Sequence, residues 1–506
     1  MTSGIPEYIP LSSIRNLAGQ TAIYGLSSII PRILNYLLVP LYTRVFLPVE
    51  YGVVTEMYAY ASFLMVLFTY GMETAYFRFA SRQNETRDVF STILLSILIS
   101  STLFILILSV FSGSLAGLLT KVTAQSVSDY KRYIIWFVVI ISLDAIASVP
   151  FARLRLQNKA FRFAFIRIIG ILLNISLNLF FLLLCPKLPP GSWLLTFYNP
   201  AYGVEYVFIS NLISSAFTLL LLLPQFKGLS FSLDKKLWNE VMLYSLPLLV
   251  AGFAGMINET ADRILIKYLV ADKSDALVQL GVYGACYKVS ILMTLFIQTF
   301  RYAAEPFFFS HAEKEDAAKT YSRVMHYFVI TCCIIFLGVI LYMDFVKYFI
   351  GEEFRSGLHI VPILLMANLC LGIFYNLSIW YKLTGKTQWG AYIALFGAAI
   401  TVILNIILIP KMGYTGAAWT TLICYAAMMV ASYVAGQKFY HVDYHLSSAL
   451  SYIAGALLIY FFSSYLRSIF SGSQNVITFF NTALLMLYIT VAWLVERRKK
   501  SYLRPS

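Results

Sequence analysis

Residues 90–114 read FSTILLSILISSTLFILILSVFSGS, with no charged side chain among them. About 20 apolar residues suffice for a helix to cross roughly 30 Å of hydrocarbon. Lipid offers the backbone no hydrogen-bond partner, whereas a helix satisfies its own N–H and C=O groups. The stretch therefore predicts a membrane-spanning helix. Thirteen further stretches pass the same reading: 17–42, 51–77, 132–152, 163–185, 204–224, 239–267, 278–308, 324–347, 359–381, 389–409, 415–435, 447–465 and 477–495. The expected fold class is an all-α integral membrane protein with 14 transmembrane helices.

Composition agrees. Of the 506 residues, 59% are hydrophobic and 12% charged, and mean hydropathy is +0.75. A soluble domain carries about 25% charged residues, so an ordinary soluble enzyme and a long disordered chain are excluded. The longest connections, near 115–131 and 186–203, fall far short of the roughly 50 residues an independent domain needs. That disfavours membrane glycosyltransferases, polymerases and ATP-driven exporters. The chain has no Gly-rich loop ending in Lys-Ser/Thr, no zinc-binding His pair on a helix and no G-x-S-x-G elbow. The expectation is a protein that is not an enzyme and has no resident cofactor or metal.

The net charge is +14, from 38 Lys and Arg against 24 Asp and Glu. With both termini in the cytoplasm, 22 of the basic residues fall in cytoplasmic segments, 9 in outer segments and 7 within helices. This bias predicts the orientation and accounts for the charge without a nucleic acid partner. Cys185, Cys286, Cys332, Cys333, Cys370 and Cys424 all lie in apolar stretches and read as free thiols at helix interfaces.

The chain also echoes itself. Tyr51-Gly52-Val53 with Tyr58 matches Leu280-Gly281-Val282 with Tyr287 at an offset of 229. Arg155-Leu156, Lys159 and Leu177-Asn178 match Lys382-Leu383, Lys386 and Leu404-Asn405 at an offset of 227. Gly203 and Gly416 open the sixth and twelfth stretches. The pattern predicts two pseudo-symmetric six-helix bundles, residues 1–228 and 229–445, followed by two additional helices and a basic cytoplasmic tail in 446–506. Six spans per bundle is an even number, so the repeats are parallel, as in transporters that bind substrate between two halves.

Charges inside the spans mark candidate sites, because an ionisable group at mid-bilayer costs at least about 2.5–3.5 kcal/mol. Arg32 follows Pro31 in the middle of the first stretch. It reads as an anchor for an anionic substrate or as half of a structural ion pair, with Asp144 of the fourth stretch as one counter-ion. In the seventh stretch Glu259, Arg263 and Lys267 recur every four residues and share a face, with Asn258 and Asp262 on an adjacent stripe. Glu259–Arg263 is an expected intrahelical ion pair. Asp262 lacks a partner at i+4 and is free to reach another helix, a substrate or a coupling cation. Lys288 and Arg301, taken as one continuous helix, fall about 140° apart. Lys288 is the deeper, while Arg301 and Arg78 stand at the cytoplasmic mouth, suited either to reading phosphate oxygens or to snorkelling. Candidate substrate-binding residues are thus Arg32, Arg78, Asn258, Arg263, Lys288 and Arg301, and candidate ion-coupling residues are Asp144, Glu259 and Asp262. Coupling to H+, Na+ or the membrane potential is expected.

Three motifs occur in order along the chain: Pro40-Leu41-Tyr42-Thr43-Arg44 with Glu50-Tyr51-Gly52, then Gly351-Glu352-Glu353-Phe354 with Ile360-Val361-Pro362, then Gly413-Tyr414-Thr415-Gly416-Ala417-Ala418. On these the sequence resembles Wzx-type polysaccharide and O-antigen flippases of the multidrug/oligosaccharidyl-lipid/polysaccharide exporter superfamily. The resemblance implies a bacterial inner-membrane protein moving undecaprenyl-pyrophosphate-linked oligosaccharide between leaflets. It also implies a cationic central cavity, membrane lipids as partners, and a polysaccharide polymerase and chain-length machinery nearby. The family supplies no strict catalytic motif, so the site residues rest on depth and charge. A lipid II flippase and a cation-coupled multidrug antiporter of the same superfamily are the alternatives.

Overall fold

The computed structural model describes residues 29–82, 87–122, 125–469 and 474–502, and every regular element among them is helical. Twelve helices are long and apolar enough to cross a membrane, from Pro48–Ser81 to Gln474–Arg498. A thirteenth span is a bent pair, Ala276–Val289 and Ile291–His311, turned by 51° at Ser290. These thirteen fall on the second to fourteenth stretches read from the sequence. Residues 17–28 of the first stretch, 17–42, lie outside the described residues, so a count of 14 is not reached among them. The chain is a multi-pass membrane protein.

The bend corrects one expectation. Residues 278–308 are not a single straight helix, so the 140° separation of Lys288 and Arg301 does not apply. No proline or glycine sits at the break. Instead the Ser290 hydroxyl donates to the Tyr287 carbonyl at 2.7 Å, and Asn368 on another helix donates to Ser290 at 3.3 Å. Elsewhere the punctuation follows known backbone rules. Gly71, at φ +75°, separates Pro48–Thr69 from Met72–Arg82, and Gly413, at φ +58°, turns Gln388–Met412 into Tyr414–Phe439. Both are left-handed conformations that glycine adopts without steric cost.

The chain forms two compact units. The first comprises residues 1–38 and 60–253, the second residues 39–59 and 254–506. Two helices are therefore divided, Pro48–Thr69 after Ala59 and Lys235–Leu269 after Phe253. Units defined by contact differ in kind from the repeat boundary at 228/229, which concerns sequence register. A core of the first unit gathers Phe151, Leu154, Phe163, Ile166 and Leu222. One in the second gathers Cys370, Phe374, Ile393, Cys424, Tyr425 and Met428. All six cysteines are buried free thiols.

Candidate functional site

The second unit is tied together by an unusually close backbone crossing. A Cβ on Gly281 would stand 1.9 Å from the Pro48 carbonyl oxygen, and one on Gly52 would stand 2.0 Å from that of Leu277. A Cβ on Gly284 would meet the Thr55 hydroxyl at 2.5 Å. Only glycine lets two helices approach so closely in a membrane protein. The two matched motifs of the repeat, Tyr51-Gly52-Val53 and Leu280-Gly281-Val282, thus meet each other.

Beside this seam Lys267 Nζ donates to Glu56 Oε1 at 2.5 Å, and both side chains are 0% exposed. A buried charge without its partner is strongly destabilising, so each residue makes the other tolerable. The sequence placed Lys267 on one face with Glu259 and Arg263. The structure instead commits it to Glu56, 211 residues away.

One turn earlier lies a different arrangement. Arg263 does not pair with the Glu259 carboxylate, which is exposed. Its guanidinium donates to the Glu259 carbonyl at 2.8 Å, lies 3.9 Å from Asp262 Oδ1 and stacks 4.3 Å from the centre of the Tyr287 ring. Stacking on an aromatic face holds a guanidinium without consuming its N–H donors. Asp262 does reach another helix: its Oδ2 accepts the Tyr283 hydroxyl, while Oδ1 accepts the Arg263 backbone N–H at 2.8 Å. Half-buried Lys288 lies within electrostatic reach of Arg263 and Glu259. The cluster therefore contains two cations and two acids, rather than cations alone.

Asn258 is placed structurally. Its amide donates to the Ala394 carbonyl at 2.9 Å, its Oδ1 accepts from Thr401 at 3.4 Å, and its own carbonyl accepts from Tyr425 at 3.3 Å. These bonds join Lys235–Leu269 to Gln388–Met412 and Tyr414–Phe439, the role polar side chains commonly take between membrane helices.

Arg301 pairs with Glu305 at 3.0 Å, and Glu305 also binds Lys382 at 2.6 Å. Together with Tyr375 and Asn376 they line a narrow cleft. The first unit contains a counterpart, an ion pair between Glu73 and Arg155. Arg155 and Lys382 are the residues matched at offset 227, and each bonds a glutamate from another helix. Arg78 is exposed and its guanidinium stacks 4.1 Å from the Tyr244 ring. Asp144 is not matched with Arg32: it hydrogen-bonds Ser215 and the cation it faces is Arg167. Arg32 itself is exposed. Of the matched asparagines, Asn178 donates to the carbonyl of Asn174 in its own helix at 2.8 Å, while fully buried Asn405 makes no side-chain hydrogen bond among the described residues.

Residues 17–312 match the family model described as polysaccharide biosynthesis protein. The chain belongs to this family. Solved structures with the same fold include a lipid II flippase MurJ in an inward closed conformation, at TM-score 0.69 and 14% identity, covering 94% of this chain and 99% of that one. An inward-facing multidrug resistance MATE transporter of the MOP superfamily matches at TM-score 0.64 and 14% identity, covering 83% and 94%. A mutant of the Vibrio cholerae MATE transporter VcmN matches at 0.55 and 14%, covering 84% and 96%. No curated protein matches the chain significantly. The family member described here thus has the fold of MurJ and the MATE proteins.

Proposed function

We propose that this protein is a non-hydrolytic flippase that moves undecaprenyl-pyrophosphate-linked oligosaccharide from the cytoplasmic to the periplasmic leaflet of a bacterial inner membrane. Both termini are cytoplasmic in this reading, and residues 1–228 and 229–445 act as two repeats exposing the substrate alternately. The observation that carries the reading is the partly enclosed Arg263 guanidinium, stacked on Tyr287 and 3.9 Å from Asp262, with Lys288 within electrostatic reach. Asp262 and Glu259 offset part of the charge of these two cations, and a pyrophosphate is an anion that a guanidinium and an ammonium bind together. Arg32 supplies a further cation, and Arg78 and Arg301 serve capture at the inner side. Asp262, Glu259 or Asp144 carries the coupling proton or sodium ion, or the membrane potential drives the cycle. A polysaccharide polymerase and chain-length machinery take up the product.

Family membership and the MurJ-like fold support this reading, as do the glutamate contacts of the matched residues Arg155 and Lys382. A cation-coupled multidrug antiporter is the second reading. It is favoured by the acids Glu259 and Asp262, which balance the same cluster.

The deciding experiment is a leaflet-sidedness assay in a deletion strain, with the accumulated lipid identified. Prenyl-linked glycan should collect in the cytoplasmic leaflet, wild-type chain should clear it, and Arg32→Ala or Arg263→Ala expressed at wild-type level should restore less than about a tenth of the flux. Clearance without the protein overturns the reading. Accumulation of lipid II in place of an oligosaccharide carrier reassigns the substrate, and lost drug export with normal glycan sidedness favours the antiporter.

A further inference from the structure

Residues 43–47 and 351–353, which include Thr43 and Arg44 of the first motif and Gly351-Glu352-Glu353 of the second, line an open cleft of about 260 Å³ in the second unit. Its floor is rigid for a backbone reason. A Cβ on Gly351 would stand 1.8 Å from the Thr43 carbonyl oxygen, and the Gly351 N–H donates to the Thr43 hydroxyl at 3.0 Å. The Arg44 guanidinium in the wall is held by two carbonyls, Pro40 at 2.7 Å and Tyr348 at 2.6 Å. These bonds leave some of its five N–H donors unused. The exposed residues Glu352 and Glu353 also line it, the Glu352 carboxylate 3.9 Å from the Arg355 guanidinium, and exposed Val45 and Leu47 add an apolar lining.

We infer that this cleft is a second binding site, one for a neutral sugar ring of the transported glycan, on the non-cytoplasmic side. The inference rests on the flippase reading above and names where the sugar portion is held outside the membrane core. Three ligand classes separate on charge. An inorganic anion would face two carboxylates. A metal ion would face a fixed guanidinium, whose positive charge opposes a cation beside the carboxylates. A sugar suits the mixture, because each hydroxyl both donates to a carboxylate and accepts from an Arg N–H. The apolar C–H face of a pyranose ring suits Val45 and Leu47. The volume lies just below the roughly 300–1,000 Å³ of pockets for drug-sized ligands, a size for a ring or two rather than a whole repeat unit. The charge bias of the loops puts both segments outside, since each joins helices at their outer ends.

The test uses the full-length chain in lipid nanodiscs and saturation-transfer difference NMR. The probes are D-glucose, D-galactose, N-acetyl-D-glucosamine and L-rhamnose, with inorganic phosphate and calcium chloride as competitors. At least one sugar should receive saturation, and neither competitor should displace it. Glu353→Gln, at an exposed carboxylate, should weaken binding about tenfold, the weight of one hydrogen bond to a charged group. Arg44→Gln should abolish it; should that variant unfold, Glu353→Gln alone decides. Absence of transfer to all four sugars, transfer unchanged in Glu353→Gln, or displacement by phosphate or calcium overturns the inference. Transport is scored separately. Sugar binding without glycan flipping would leave the cleft and remove the flippase reading, whereas flipping without sugar binding would remove only the cleft.

Discussion

Lys267 and Arg263 stand one turn apart on the same helix, yet their surroundings differ in kind. Lys267 is sealed: it and Glu56 are wholly buried and bonded to each other. Arg263 is only partly enclosed, 14% exposed, with its nearest carboxylate at 3.9 Å, an aromatic face beneath it and a second cation close by. The contrast teaches that depth in a membrane helix does not separate charges that hold a fold from charges that meet a ligand. What separates them is whether the neighbourhood already answers the charge.

The sharpest way to break this contrast is at the sealed pair. Lys267→Met takes the lysine away from a buried Glu56 carboxylate, so stability should fall by about 3–5 kcal/mol, and the double variant Lys267→Met with Glu56→Leu should recover most of it. Thermal unfolding in nanodiscs reads both. A single variant as stable as wild type would mean the pair is not sealed. A smaller effect is expected at Tyr283→Phe. Removing the hydroxyl leaves Asp262 Oδ2 without its donor, which should cost about 1–3 kcal/mol. The loss should shrink in an Asp262→Leu background; equal losses in both would show that the bond is not what the tyrosine contributes. The smallest effect belongs to the half-exposed cluster. Lys382→Ala should shift stability by under about 1 kcal/mol, because Arg301 still faces Glu305 and partial exposure screens the pair. A shift of several kcal/mol would place Glu305–Lys382 with the sealed pair.

Much of the fold was legible because hydrocarbon imposes a length and a composition on whatever crosses it. The stretches from 51–77 to 477–495 all fall on helices. The bend at Ser290 was not legible, since no proline or glycine announces it; the serine there bonds back onto its own turn and accepts from Asn368 on another helix. In the site, periodicity correctly put Arg263 and Lys267 on one face. It could not show that Glu56 would swallow one of them and leave the other, because that choice is made by a contact 211 residues apart in sequence. Asn258 looked like a ligand residue on polarity alone; its partners Ala394, Thr401 and Tyr425 come from helices more than a hundred residues away. The doubled glycine motif was visible as an echo. That the two copies touch each other was not.

That touching has a mechanical meaning. Where side chains interleave, small rotations let two helices drift apart by degrees. At Gly52 and Gly281 peptide groups lie against peptide groups, with nothing between them to flex. Such a joint behaves as a snap fastener, fully home or fully released, because packed protein interfaces switch rather than deform continuously. Any working cycle that lifts residues 48–59 from Ala276–Val289 must first part these peptide groups.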